Sequence, residues 1–268
     1  VNNFPDIHAK LDNKASTTTH LSIKIMTAIL SLDTKISNQL QQVLLELTTA
    51  QDLSLHPFVQ RFAKGEFSQD AIRQFAIKML PGSNRFNMAF LKVASKMDSY
   101  HARTIMLENA FTEHGELDSD LAHVALFMRF MKGIDCPKID INADDGAFLI
   151  PELRFKKFEV CDDEPIVRSL GRFAAIEQVL PGIFIKYIEG LRKIFKGIDD
   201  HTIEYFHLHC HLDPEHTDEL IQVAQIYTKS EKDVELFREG VEDMVKSIGD
   251  MFSWMDENLE KEALTLES

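Results

Sequence analysis

The sequence predicts an all-α protein, a bundle of helices around one large core, and three observations point there. Apolar residues recur at three- and four-residue steps along almost the whole chain. No stretch keeps the period-2 alternation of a convincing strand. At 268 residues and 44% hydrophobic content, the chain is long and apolar enough to bury one sizeable core.

Taken in order, residues 1–33 are rich in Asn, carry a Thr run at 17–19, and read as an N-terminal extension with a helix at 20–31. Residues 34–268 form the main helical domain. Its first helix, 34–50, places Ile36, Leu40, Val43, Leu44 and Leu47 on one face. Helices at 57–64 and 69–80 follow, and the Leu-Pro-Gly of "FAIKMLPGSNRF" separates 69–80 from 83–97. Helices at 101–114 and 119–132 flank Gly115. The segment 133–163, with Pro137, Asn142, "DDG" and Pro151, is the long irregular region, expected to be a loop with a short helix that can cover a site. A second Leu-Pro-Gly, in "FAAIEQVLPGIF", separates 165–179 from 182–196. Aligning Gly82 with Gly182 sets Ile77 opposite Glu177, which reads either as a core position turned to ligation or as a chance likeness of two helix breaks. A helix at 199–228 precedes the last one, 231–262, where Ser230 and Asp233 form a start signal and Val234, Phe237, Val241, Met244, Val245 and Ile248 keep the helical step.

Charge excludes some partners. The 29 Lys+Arg against 43 Asp+Glu leave a net charge of −14, which repels phosphate backbones and anionic membrane surfaces. Neither nucleic acid nor a membrane is therefore an expected partner. The run "LSIKIMTAIL" is broken by Lys24 and falls short of the roughly 20 residues that cross a bilayer. Nothing before it has the charged start or small-residue cleavage site of a secretory leader. Cys136, Cys161 and Cys210 are widely spaced with no C-x-x-C pair, which suggests neither a disulfide framework nor a thiolate zinc site. The cytoplasm is the expected compartment.

The chemistry concentrates in "EYFHLHCHLDPEHTDEL", residues 204–220. At about 100° per residue, His209, Asp213 and His216 fall within an arc of roughly 60°, whereas His207 and His211 land on the far side. Two imidazoles and a carboxylate on one stripe match the inward-facing ligands of metal sites in helical bundles. Pro214 either kinks this helix or marks a restart with Asp213 as its N-cap. One helix cannot close a metal site. "LENAFTEHGELDSDLAHVALF" adds Glu113, just before a Gly that can end a helix, and His123 at the start of the next apolar run. Glu177 is a lone acid on an apolar face, where a buried charge needs a metal ion or an arginine, Arg168 or Arg172, to meet it. Tyr205, one turn before His209, either packs in the core or tunes a ligand.

The stretches "HPFVQRFAKGEFSQDAIRQF", "TEHG" with the "AH" that follows, "AAIEQVLPGIFIKYIEGLRK" and the H-x3-D-x2-H triad, in this order over about 50–255, resemble the haem-oxygenase-like diiron oxidases and oxygenases, a family of iron-containing redox enzymes. The resemblance implies a haem-oxygenase-like bundle of about seven core helices, with the N-terminal helical segment as an addition. It implies iron held by three carboxylates and three histidines: Glu113 in the family's Glu-x-Gly element, His123 after it, Glu177 in the central helix, and His209, Asp213 and His216 in the final triad. His114 in the x position, Thr112 in place of an acid, and Pro214 within the triad depart from the pattern and leave Glu108 and Glu116 as alternatives to Glu113. Imidazole and carboxylate donors without thiolates suit iron or manganese, and the ferritin-type Glu-x-x-His pair is not the pattern of this ligand set.

The implied cofactors are two Fe(II) ions, with dioxygen as cosubstrate. The implied activity is oxidation of a small organic acid, amine or amino-acid-derived substrate by N-oxygenation, desaturation or oxidative C–C cleavage. A metal-free enzyme like the thiaminases or the pyrroloquinoline-quinone synthases is the alternative, and a non-catalytic binding protein on the same fold the third. The assembly stays open, a homodimer being one that the sequence allows.

Overall fold

The computed structural model describes residues 35–137 and 164–265. The extension 1–33 with its helix at 20–31, and most of the irregular segment 133–163, lie outside the described residues. Among those described there are eight α-helices, one 3-10 turn and no strand: α1 (35–50), the turn Leu53–Leu55, α2 (Pro57–Lys64), α3 (Gln69–Lys96), α4 (Tyr100–Glu113), α5 (His123–Gly133), α6 (Ile166–Ile194), α7 (Glu204–Tyr227) and α8 (Glu231–Thr265).

Local chemistry accounts for where these helices begin. Side chains take up the first orphan amides: Ser68 Oγ accepts from Ala71 N at 3.1 Å, and Ser99 Oγ from Ala102 N at 3.3 Å. At α2 the His56 ring nitrogen accepts from Phe58 N, and Pro57 occupies the first position, where no donor is needed. The expected start of α8 is a reciprocal cap, in which Asp233 N donates to Ser230 Oγ and Lys229 N donates to Asp233 Oδ2.

The two expected helix breaks are absent. α3 runs through Pro81, and α6 runs through Pro181. An interior proline removes one backbone bond and costs about 3 kcal/mol, so an isolated segment would break there. Both halves of each helix are instead buried, with Phe75 and Phe90 on either side of Pro81, and Phe173 and Phe184 on either side of Pro181. Each such side chain contributes roughly 1.5–3 kcal/mol on burial, so a few of them outweigh the proline. α7 likewise passes Pro214 without restarting, which makes Asp213 an interior residue and not an N-cap.

α6 is the central helix, packed along α7 and α8 and crossed by α2. Its crossing with α8 is backbone on backbone. A Cβ on Gly171 would run into the Phe237 carbonyl, and one on Gly240 into that of Arg168. Where α2 packs on α6, Phe58, Phe62, Phe75 and Tyr187 form a mutual aromatic cluster, with Phe62 and Tyr187 ring centroids 4.4 Å apart. No helix among the described residues is long and apolar enough to cross a membrane.

Candidate metal centre

α4 ends at Glu113, and the chain then reverses through three residues of positive φ: Gly115 (74°), Glu116 (53°) and Leu117 (78°). Gly115 is required there, because a Cβ would overlap the Asp118 carbonyl and the Ala122 amide. The reversal starts α5 at His123 opposite the end of α4, with His123 Nδ1 3.0 Å from Glu113 Oε2. α6 contributes Glu177, and α7 contributes His209, Asp213 and His216, all buried. Glu108 and Glu116, the other acids in this region, are exposed, which leaves Glu113 as the one that faces inward. His211 is also exposed, and His207 turns towards Asp200, 3.6 Å away, as the helical rotation of α7 requires.

The buried side chains form two triads that share one carboxylate. Glu113, His123 and His209 have donor atoms within 4.8 Å of one another, as do Glu113, Glu177 and His216. His209 Nε2 lies 3.1 Å from His123 Nδ1. His216 Nδ1 lies 3.9 Å from Glu113 Oε1 and 3.8 Å from Glu177 Oε2, too far for hydrogen bonds. Asp213 stands against Glu177, outside either triad.

Surrounding groups set the imidazoles. His209 Nδ1–H donates to the Tyr205 carbonyl at 2.7 Å, which turns the Nε2 lone pair inward. The Thr112 hydroxyl donates to Asn109 O at 2.8 Å and accepts from His216 Nε2–H at 3.1 Å, so His216 presents Nδ1. At the centre, His216 Nδ1, Glu177 Oε2 and both Asp213 carboxylate oxygens are buried without a hydrogen-bond partner. Orphaned lone pairs in such a concentration are the mark of a cluster short of positive charge. Three carboxylates and three imidazoles without a thiolate fit iron.

The titration behaviour agrees. Burial pushes Glu177 above the usual carboxylate range, and the charge of Glu113 adds to it. Asp213 is held well above that range by burial and then by Glu177 and Glu113. Burial also acts on Glu113, but its bond from His123 and the imidazoles of His209 and His216 outweigh it and hold Glu113 low. Burial and then His123 bring His209 down to about 4. His216 resists burial through Glu177 and Glu113 and sits above the usual imidazole value. Arg168 and Arg172, the alternative partners for Glu177, pair elsewhere: Arg172 with Glu164 and Asp243, Arg168 with Asp243 and Glu239.

One wall of the cluster opens on a cavity of about 120 Å³ between α3, α6 and α8, its apolar sides including Met79, Phe86, Ile176, Phe184, Ile248 and Met251. Periodicity alone assigns these residues to the core, because an apolar cavity wall and a packed core use the same side chains. Thr112 also escaped notice as a working residue, its only signal being a hydroxyl next to Glu113.

The comparisons with known proteins point the same way. The sequence profile of a family described as iron-containing redox enzymes matches residues 73–248. A 4-aminobenzoate synthase of Chlamydia muridarum is 20% identical over 180 residues, 66% of this chain and 74% of that protein. A domain of unknown function with a haem oxygenase-like fold from Shewanella denitrificans superposes with a TM-score of 0.61 at 14% identity, over 90% of this chain and 95% of that one. A TenA homologue from Pseudomonas syringae superposes with a TM-score of 0.63 at 13% identity, over 84% of this chain and 92% of its own.

Proposed function

Because the chain belongs to the family of iron-containing redox enzymes, we propose that it is a non-haem oxidoreductase that holds two iron ions in its carboxylate–imidazole cluster and uses dioxygen to oxidise a small organic substrate. The observation that carries this reading is the position of Glu113, whose two oxygens face separate triads, so that one carboxylate could serve two metal ions. Glu113, His123 and His209 would hold one ion, Glu113, Glu177 and His216 the other, with Asp213 beside Glu177. Iron held there would supply the redox steps by which dioxygen is reduced and the substrate oxidised.

The chain's own residues do the rest. Tyr205 O and Thr112 Oγ1 fix which nitrogen of His209 and of His216 faces the centre. The carboxylates offset the ions' charge, and the apolar wall keeps bulk water from the reacting atoms. N-oxygenation, desaturation and oxidative C–C cleavage are the reaction types this reading covers. The relative named as a synthase of 4-aminobenzoate supports a small organic compound as the molecule handled.

A metal-free enzyme with a cysteine nucleophile finds less support from the two cysteines among the described residues, Cys161 lying outside them. Cys210 adjoins His209 in sequence, but burial raises its thiol pKa and its Sγ hydrogen-bonds to the Pro181 carbonyl. Burial pushes Cys136 up to about 11. Free thiols at Cys136 and Cys210 agree with the cytoplasm as the proposed compartment.

Anaerobic titration of metal-free protein with Fe(II) tests the proposal. The expected result is two ions per chain and consumption of dioxygen on mixing. Glu177→Ala should retain its helical circular dichroism yet bind iron about tenfold or more weakly, by loss of a ligand. A wild-type protein that takes up no iron would overturn the reading, and a variant that binds both ions normally would remove Glu177 from the site.

A further inference from the structure

The cavity beside the cluster carries a statement about the substrate, which rests on the metal reading above. Its volume, about 120 Å³, is of the order of that of a cavity of about 150 Å³ that accepts benzene, so it fits a body of about one six-membered ring. Its lining is otherwise aliphatic, thioether and aromatic, and the hydroxyls in it are those of Ser83, Tyr187 and Tyr205, of which Tyr187 Oη is buried without a hydrogen-bond partner. Methionines on two walls, Met79 on α3 and Met244 and Met251 on α8, let the shape adapt to such a body.

The distribution of charge is equally informative. The carboxylates and imidazole that line the cavity are Glu113, Glu177 and His209, all at the cluster, and no Lys or Arg among the described residues lines it. A carboxylate carried into this cavity would lose its hydration and meet, among the described residues, no cationic side chain, so that metal ions in the cluster would have to offset a large cost. An amino acid would bring an ammonium group as well, which those metal ions repel. An uncharged polar end meets neither penalty.

We infer that this cavity is the substrate pocket and that it takes a compound with an apolar body of single-ring size and one polar end. An uncharged end enters whether or not metal is present. A carboxylate end enters only where the metal ions compensate it, and zwitterions are refused. This narrows the small acids, amines and amino-acid derivatives expected from the sequence to those with one polar end on an apolar body.

Three single-ring probes decide it: p-cresol, 4-methylbenzoate and L-phenylalanine, titrated by calorimetry into metal-free and anaerobic Fe(II)-loaded protein. p-Cresol should bind both forms with similar affinity. 4-Methylbenzoate should bind the loaded form about tenfold or more tightly than the metal-free one, and L-phenylalanine neither. Ile248→Phe should weaken p-cresol about tenfold by filling the cavity, and Ile248→Ala should shift preference towards 4-propylphenol by enlarging it. If the Phe variant does not fold, the Ala variant decides. An unchanged preference there, or 4-methylbenzoate or L-phenylalanine binding metal-free protein as well as p-cresol does, overturns the inference.

Iron stoichiometry from the same samples separates the two readings. Two ions bound with no p-cresol binding would sink the pocket and leave the metal centre standing. p-Cresol binding without iron uptake would keep the cavity as a ligand site but overturn both the metal centre and the metal-dependent entry of a carboxylate.

Discussion

Thr112 decides which nitrogen of His216 faces the cluster. Its hydroxyl proton is committed to Asn109 O, so towards His216 Nε2 it can only accept, and Nδ1 is left to meet the carboxylates. Remove the hydroxyl and His216 is free to flip or change tautomer. Thr112→Val is therefore expected to lower iron affinity about tenfold, the scale found for groups that orient a metal-ligating histidine, whereas Thr112→Ser keeps the bond and should restore it. Equal iron affinity in Thr112→Val and wild type, measured in the Fe(II) titration, would reduce Thr112 to a packing residue. This role could not be read in the sequence, because it depends on a hydrogen bond between residues 104 positions apart, and such a bond leaves no periodic trace. The stripe of His209, Asp213 and His216 was legible for the opposite reason: it depends only on helical rotation, and the structure buries those three while His211 is exposed.

At the scale of elements, α7 carries three of the six clustered side chains within two turns, and Pro214 sits between the second and third. Proline has no amide hydrogen to give the Cys210 carbonyl, so the backbone ladder is weakest where the cluster needs its register. Asp213, buried next to Glu177, adds an unfavourable pairing that a cation would relieve. Amides across 205–218 are thus expected to exchange faster than those of α6 in metal-free protein, and to gain protection when Fe(II) is added. Hydrogen exchange with and without Fe(II) measures this, and equal protection in both states would mean that packing alone holds the segment. The course of α3 and α6 shows where reading a sequence stops. Their apolar faces were plain from spacing, but a Leu-Pro-Gly looks like a break until it is known that Phe75 and Phe90, or Phe173 and Phe184, are buried on both sides of it. Tertiary burial of that kind has no local signature.

For the molecule as a whole, the core and the cluster are separable. Phe58, Phe62, Phe75, Phe173, Phe206, Phe237 and Phe252 are buried without reference to any metal, so metal-free protein should keep its haem-oxygenase-like fold. What the cluster changes is the pH dependence of stability. Glu177, Asp213 and His216 all titrate above their ordinary values. Such groups bind more protons folded than unfolded, so their stabilising contribution is present at low pH and is lost as pH rises through the raised values. His209, brought down to about 4, acts in the other direction: unfolded it takes a proton near 6.5, so folding loses stability as pH falls from there towards 4. Glu113, held low, likewise loses its contribution as pH falls. Above about pH 6.5, where His209 has no more to gain, the thermal midpoint of metal-free protein should therefore decline towards pH 8 as the raised groups lose protons. Fe(II) replaces those protons as the source of positive charge, and it binds better once the ligands are deprotonated, so the loaded protein should hold or raise its midpoint over the same range. The gap between the two forms should then widen with pH. Thermal unfolding by circular dichroism at pH 5, 6, 7 and 8, with and without anaerobic Fe(II), reads that gap directly, and parallel pH profiles would show that the cluster's charge is not what couples metal to folding.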